Sequence, residues 1–512
     1  MRSEGTPHNA PADRRSGGMQ RSFRTPNFVD LRSQGVALGW YTVPRWGTPN
    51  APLPETYPPL FHTFAGRSVV CLSAWRSRPC REYSHTMNSL RVALARLVFL
   101  GATTAGTLCA AQWPSWRGPN QDNTTPETRF PERWSKTEHM RWRSELPEAG
   151  NSSPIVWGDT VFITQALQDG KQRTLMAFDR KTGKLRWQQG VPYEENDPRH
   201  KTNPHCAASP VTDGQRVVAS FGSAGIVAYD FAGKTLWKAD LGKQRHEWGQ
   251  GSSPVIHGDR VIVYHGPGEF SALYALDKKT GKEQWKVALK EQPPAERFDG
   301  FAGKNDGALG TFSTPLVIRA KGRDELILPV ANKIRAFAPA DGHELWSTDG
   351  INPLVYSSTT FGEGTLLTMG GFFGGLVAIA PGGEGDRTSQ RIFHEQRMKK
   401  HTIGSPIIHE GHAYVSVTDG FFQCYRMSDG KMVFEERLPA SGGANATWAT
   451  GVRVGNRIYL VNQSGDTLVL RAAPKFEVIA SNPLGELSNS TPAFSDGEIF
   501  VRTHNALYCI AQ

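Results

Sequence analysis

Short apolar runs separated by polar turns recur along residues 153–512, and their order repeats. The stretch SSPVIHGDRVIVYHG (252–266) reads as two strands joined by a turn at His257-Gly258-Asp259. SALYALD follows as a third strand, KKTG as a turn and KEQWKVAL as a fourth strand. Apolar residues fall on both faces of these strands (Val261, Ile262, Val263, Leu273, Tyr274 and Leu276), as in a sheet packed on each side. At the last turn Asp277 is placed to accept hydrogen bonds from backbone N–H groups. Gly281 is placed to take the positive φ that closes the turn.

A Ser-Pro or Thr-Pro dipeptide opens such a unit at 153, 209, 253, 314, 405 and 491, with versions lacking Pro at Ser358-Thr359 and Ala449-Thr450. The steps between starts are 56, 44, 61, 44, 47, 44 and 42 residues, which makes eight units. Four-stranded units of this length, covered on both faces, predict an all-β fold, an eight-bladed β-propeller of four-stranded blades. The last unit stops at NALYCIAQ, a third strand with no fourth. HMRWRSEL, around Trp142 just ahead of the first unit, supplies the missing strand. The ring is therefore expected to be closed by an N-terminal strand, which removes exposed edges. Trp142, Trp187, Trp237, Trp285 and Trp346 then share one position in five blades, as structural docking residues wedged against the next blade. Phe434 stands there in a sixth, and blades five and seven are expected to lack an aromatic.

Composition changes this picture only at the N-terminus. The chain has 53 Gly, 34 Pro and 14 Trp, in keeping with many strands and tight turns, and a net charge of +10. Residues 1–86 hold 11 Arg, no Lys and 5 acidic residues, so most of that charge lies there. The remainder from 112 on is nearly neutral and has no electrostatic reason to seek nucleic acid. Residues 1–86 show no sustained strand or helix period and read as a disordered arm or as an extension ahead of the true start. Residues 87–111 read as a secretory signal peptide: Arg91 and Arg96 precede an apolar run from Leu97 to Leu108, and Cys109-Ala110-Ala111 offers small residues before Gln112. The expected domains are thus 1–86, the leader 87–111 and the propeller 112–512. The mature chain is expected to be exported, periplasmic or secreted, without a transmembrane segment. It keeps Cys206, Cys424 and Cys509, an odd and widely spaced set that makes neither a disulfide framework nor a zinc site.

The strings ALDKKTGKEQW and AFDRKTGKLRW resemble the tryptophan-docking repeat of the PQQ-like β-propeller family, A-x-D-x-x-T-G-x-x-x-W. They match it at Ala275, Asp277, Thr280, Gly281 and Trp285, and at Ala177, Asp179, Thr182, Gly183 and Trp187. WPSWRGPNQDN (113–123), HEWGQGSSP (246–254) and VRTHNALYCI (501–510) are similar to secreted members of that family. The family includes quinoprotein alcohol dehydrogenases and the assembly factor BamB, so the resemblance implies either a PQQ-dependent oxidoreductase or a binding scaffold of envelope-protein assembly. PQQ is a flat tricarboxylate that needs stacking surfaces, cationic groups and a bound calcium ion. In the resembled dehydrogenases an adjacent Cys-Cys disulfide covers one face of it, and this chain has no Cys-Cys pair. No unit shows a carboxylate cluster for calcium. The expectation is a non-catalytic binding or scaffold protein, with no catalytic residue, no metal ligand and no resident cofactor; PQQ with calcium belongs to the alternative.

The segments leading into the innermost strands should converge on one mouth of the channel. They carry His205, His246, Trp248, Gln250, Phe312, Tyr356, His401, Trp448 and Asn489. This ring of amide, imidazole and aromatic groups either holds a neutral ligand, such as a sugar, peptide or flat organic molecule, or plugs the channel. The two long steps carry insertions at 191–205 and 291–312. Their charged residues (Glu194, Glu195, Asp197, Arg199 and His200; Glu296, Arg297, Asp299 and Asp306) are candidate metal or acid–base groups, or simply solvated loops. No G-x-S-x-G elbow is present. The partner is expected to be a protein, a small molecule or a sugar, and the protein a monomer.

Overall fold

The computed structural model describes residues 111–442 and 446–512. The extension expected over 1–86 and the leader expected over 87–111, apart from Ala111, lie outside the described residues. From residue 140 on, the strands form eight four-stranded antiparallel blades. In the third blade the strands run outward from the axis as Val255–His257, Arg260–His265, Ala272–Asp277 and Glu283–Ala288. The eighth blade consists of Ala493–Ser495, Glu498–Arg502 and Ala506–Ile510, completed by Met140–Glu145, which pairs antiparallel to Ala506–Ile510 with Trp142 opposite Cys509. Apolar side chains interleave between neighbouring blades; Val218 and Ala228 of the second, for example, pack with Val261 and Tyr274 of the third. Among the described residues no helix is long and apolar enough to cross a membrane.

The residue opening each unit has a role that its sequence only hinted at. The backbone N–H of Ser153 donates to the hydroxyl oxygen of Ser209 (2.8 Å), Ser209 to Ser253 (2.9 Å), Ser253 to Thr314 (3.0 Å) and Thr314 to Ser358 (2.8 Å). Ser358 donates likewise to Ser405 (3.0 Å), Ser405 to Thr450 (3.0 Å), Thr450 to Thr491 (3.1 Å), and Thr491 back to Ser153 (2.9 Å). A closed ring of eight hydrogen bonds therefore links all blades around the axis. In the seventh unit the ring member is Thr450 rather than Ala449, because only a hydroxyl can accept the bond. The true repeat start there falls one residue later than the dipeptide pattern suggests.

A second periodic device operates farther out. In every blade the fourth strand bulges at one position, and the residue there faces a third-strand partner: Trp187 opposite Ala177, Trp237 opposite Ala228, Trp285 opposite Ala275, Trp346 opposite Ala336 and Trp142 opposite Cys509. A small partner leaves room for the indole. Phe393 opposite Ala378 and Phe434 opposite Cys424 follow the same rule. The fifth blade thus has an aromatic after all, hidden from sequence comparison by the parallel strand Gly385–Asp386 inserted just before it. In the seventh blade Val469 fills the space and its partner is Ala480.

Four of these tryptophans sit on the next blade's turn and donate their indole N–H to it. The acceptors are the carbonyls of Arg180 for Trp142 (2.8 Å), Phe231 for Trp187 (2.9 Å), Lys278 for Trp237 (2.9 Å) and Pro339 for Trp285 (3.1 Å). The turn of the third blade shows why it suits this contact. Asp277 Oδ1 accepts from the backbone N–H of Thr280 (2.8 Å), Gly281 has φ of 72°, and a Cβ on Gly281 would come within 2.5 Å of the Trp237 ring. Trp346 departs from the scheme. Its indole donates to the fully buried Glu325 of its own blade (2.9 Å), and the same carboxylate oxygen accepts the Gly382 N–H of the fifth blade (3.1 Å).

Residues 113–125 cross one end of the axial channel. Trp113 pairs with Val156 of the first blade, and the carbonyl of Pro114 accepts from Thr212 of the second (2.9 Å). The buried Arg117 donates to Thr359 O and Thr360 Oγ1 of the fifth (both 2.6 Å). Thr124–Thr125 pairs parallel to residues 453–454 of the seventh. Trp116 lies between these anchors and donates its indole N–H to Thr491 Oγ1 (3.3 Å) in the hydroxyl ring.

Candidate functional site

At the opposite end, the loops between blades surround a cavity of about 340 Å³. Trp248, Tyr356, His401, Trp448 and Asn489 line it, as does Phe312. Three other residues named from sequence lie elsewhere. His205 and Gln250 line a smaller cavity of about 30 Å³ between the loops of the first three blades. His246 is turned behind Phe312, with ring centroids 5.5 Å apart and edge-on.

The lining divides by side. Blades three to six supply an aromatic wall, in which Phe301 packs on Phe372 (4.8 Å), Phe372 on His401 (5.0 Å) and Tyr356 on Phe312 (5.8 Å). The side formed by blades eight, one and two is amide-rich. Asn151 donates to Thr202 O (3.0 Å), Gln463 to Asn489 (2.9 Å), and Asn203 to the carbonyls of Trp248 (2.8 Å) and Gln250 (3.1 Å). Trp116 closes the cavity from the plug side.

Sequence reasoning missed Trp116, Phe301 and Phe372. Trp116 comes from a segment outside the repeats, and its neighbour Arg117 anchors it. Phe301 lies inside the long insertion, held by Asp299, which Arg297 clamps at 2.6 Å and which caps the Phe301 N–H (3.0 Å). Phe372 sits in the hairpin GGFFGG (370–375), whose glycine-flanked aromatic pair was the available signal. Gly371, with φ of 110°, lies so close to Tyr356 that a Cβ there would come within 2.6 Å of the ring.

Among the described residues no Lys, Arg, Asp or Glu lines the cavity. Burial lowers the His401 pKa to about 4, so the imidazole is neutral near pH 7, and its Nε2 has no hydrogen-bond partner. Burial likewise raises the Tyr356 hydroxyl above its ordinary value. Of the insertion residues, His200 lines the cavity and packs on Trp248 (ring centroids 4.5 Å apart), while charged ones brace loops. Asp197 pairs with Arg173 (2.8 Å), Glu195 with Lys243 (2.7 Å), and Asp306 accepts from Gly303 N–H (3.0 Å). Among the described residues no cluster of His, Cys, Asp and Glu is arranged to hold a metal ion. PQQ does not fit this lining. Aromatic stacking surfaces are present, but three carboxylates would meet no cation, and no carboxylate group stands ready for calcium.

An axial bowl on an eight-bladed propeller with docking tryptophans defines the class of protein. A family model described as outer membrane protein assembly factor BamB matches residues 133–247, 223–296 and 330–512, more than half of the chain. The chain belongs to this PQQ-like β-propeller family. No curated protein matches it in sequence. Among solved structures, BamB from Moraxella catarrhalis is 14% identical with a TM-score of 0.51, covering 73% of this chain and 97% of that one. A europium-containing methanol dehydrogenase is 13% identical with a TM-score of 0.56, covering 78% and 98%. The quinohemoprotein alcohol dehydrogenase of Comamonas testosteroni is 12% identical with a TM-score of 0.54, covering 78% and 80%. At these identities the likeness is one of fold.

Proposed function

We propose that the protein is an exported, monomeric binding propeller that holds a ligand in the axial bowl and carries out no chemistry on it. The observation that carries this reading is the lining itself: aromatic faces, neutral amides and the imidazoles of His200 and His401 around a floor sealed by Trp116, with no Lys, Arg, Asp or Glu among the described lining residues. Such a surface recognises by shape, stacking and neutral hydrogen bonds. Proton transfer would fall to these imidazoles with no carboxylate among the described lining residues to orient them, and hydride chemistry would need a cofactor that the lining does not suit. The expected leader at 87–111 supports export to the periplasm or beyond. The match to BamB supports an envelope scaffold role, in which blade surfaces meet partner proteins while the bowl takes its ligand.

The test uses the purified protein with PQQ and calcium. The reading expects no quinone absorbance retained through gel filtration and no dye-linked alcohol oxidation. Saturable PQQ binding with turnover would overturn it and favour the dehydrogenase. Mass spectrometry of the native N-terminus is expected to find Gln112 first; a peptide from residues 1–86 would remove the argument for export.

A further inference from the structure

We infer that the base of the bowl is a binding site for the terminal unit of a neutral glycan, a pyranose with equatorial hydroxyls seated over Trp116. This rests on reading the bowl as a ligand site, and it names the ligand class. The first observation is the hydroxyl ring. Each of its eight oxygens accepts one backbone N–H, yet among the described residues none donates its own O–H to a protein acceptor. A hydroxyl carries one donor as well as its acceptor sites. All ring members but Ser405 line the cavity. The bowl therefore ends in a circle of unmatched donors, and a ligand that leaves them unmatched forfeits their hydrogen bonds.

The second observation is what the circle surrounds. Trp116 lines the cavity together with seven of the ring members and donates its indole N–H to one of them, Thr491 (3.3 Å). A suitable ligand has an apolar face for the indole and oxygens around its rim for the donors. A pyranose with equatorial substituents has this form: axial C–H groups on its faces and hydroxyl oxygens around its edge. An apolar peptide offers the faces without the rim, and a tricarboxylate offers oxygens whose charge nothing in the lining offsets. Above the floor, His401 Nε2, which has no hydrogen-bond partner among the described residues, and the Tyr356 side chain line the place of a second unit beside Phe372. Because residues 113–125 block the far end of the channel, a glycan enters by its end and does not thread through.

Intrinsic tryptophan fluorescence of the full chain, titrated with a β-linked trisaccharide of glucose, reads this directly. A saturable change is expected. The epimer with one axial hydroxyl on the terminal unit should bind about tenfold more weakly, the worth of one lost hydrogen bond. Trp116→Ala should weaken binding by tenfold or more. In case that variant does not fold, Tyr356→Phe, which keeps the ring, should weaken binding several-fold with an unchanged melting temperature, and Phe372→Ala should weaken it several-fold while lowering the melting temperature through lost packing on Phe301. No saturable response to either trisaccharide, or equal affinity for both epimers that the wall variants leave unmoved, would overturn the inference. Binding of an apolar decapeptide in place of the sugars would overturn it while leaving the binding-propeller reading intact. PQQ turnover would remove that reading itself.

Discussion

The propeller has two unlike halves. Around blades eight, one, two and three, each blade docks on the next by a tryptophan over a turn glycine, and the loops of blades eight, one and two are amide-rich. Around blades four to seven the docking residue is Trp346 acting through Glu325, then Phe393, Phe434 and Ala480, and the loops above carry most of the aromatic wall. The contrast teaches that the blade contact depends on a volume match between two strands, not on tryptophan itself. Ala or Cys opposite makes room for a ring, and Val opposite demands Ala. The indole contributes a hydrogen bond as well, which phenylalanine cannot make.

The largest test of this contrast is at Glu325. Glu325→Ala leaves the Trp346 and Gly382 N–H groups without that acceptor and removes the nearer carboxylate of Arg323. A loss of about 3–5 kcal/mol in unfolding free energy is expected from guanidinium denaturation, as for breaking other buried charged networks. Equal stability would mean that blades four and five do not depend on this bridge.

Next comes the turn glycine. Gly281→Ala forces a Cβ into Trp237 and should cost about 1–3 kcal/mol from overpacking, on top of the strain of its positive φ. Gly322→Ala carries only that strain, because its φ of 86° is similar but nothing lies within 4 Å of the added carbon. The difference between the two measures the docking contact. In the seventh blade, Ala480→Phe should destabilise by about 1–3 kcal/mol, and Val469→Ala should recover part of that loss in a double-mutant cycle. Additive effects would break the volume rule.

The smallest effect concerns pH. Burial lowers His205, His265 and His401 from 6.5 to about 4. Their contribution to stability is complete above pH 6.5 and is lost as pH falls toward 4, because the unfolded chain takes up the protons first. Glu291, raised by burial to about 7, acts in the opposite sense: its contribution is complete below pH 4.5 and is lost as pH rises toward 7. Three groups against one predict a melting temperature that falls between pH 6.5 and 4. His401→Gln should flatten the slope slightly, and an unchanged slope would show that His401 titrates normally.

Much of the fold was legible from residues alone, because a repeat displays its own rules. Asp277 and Gly281 identified a turn, and their second copy at Asp179 and Gly183 identified a repeated unit. The terminal halves of the eighth blade were paired by elimination. Phe393 escaped because a strand insertion displaced it from the expected spacing. Thr450 escaped because a hydroxyl's place in a ring depends on the two neighbouring blades. The site was less legible. Loop residues Trp248, Tyr356, His401, Trp448 and Asn489 reach the cavity as their positions suggested, while His205, His246 and Gln250 lie on loops whose path no local pattern dictates.

By itself the sequence determined the strand order, the number of blades and the closure of the ring, since each follows from local period, turn chemistry and complementary ends. The tertiary structure alone decided that the channel is floored by Trp116, that one side of the bowl is aromatic, and that the ring hydroxyls keep unused protons. These properties come from residues far apart in the chain, brought together where eight blades and one crossing segment meet. Their spacing in space is set by packing, which leaves no period in the sequence to read.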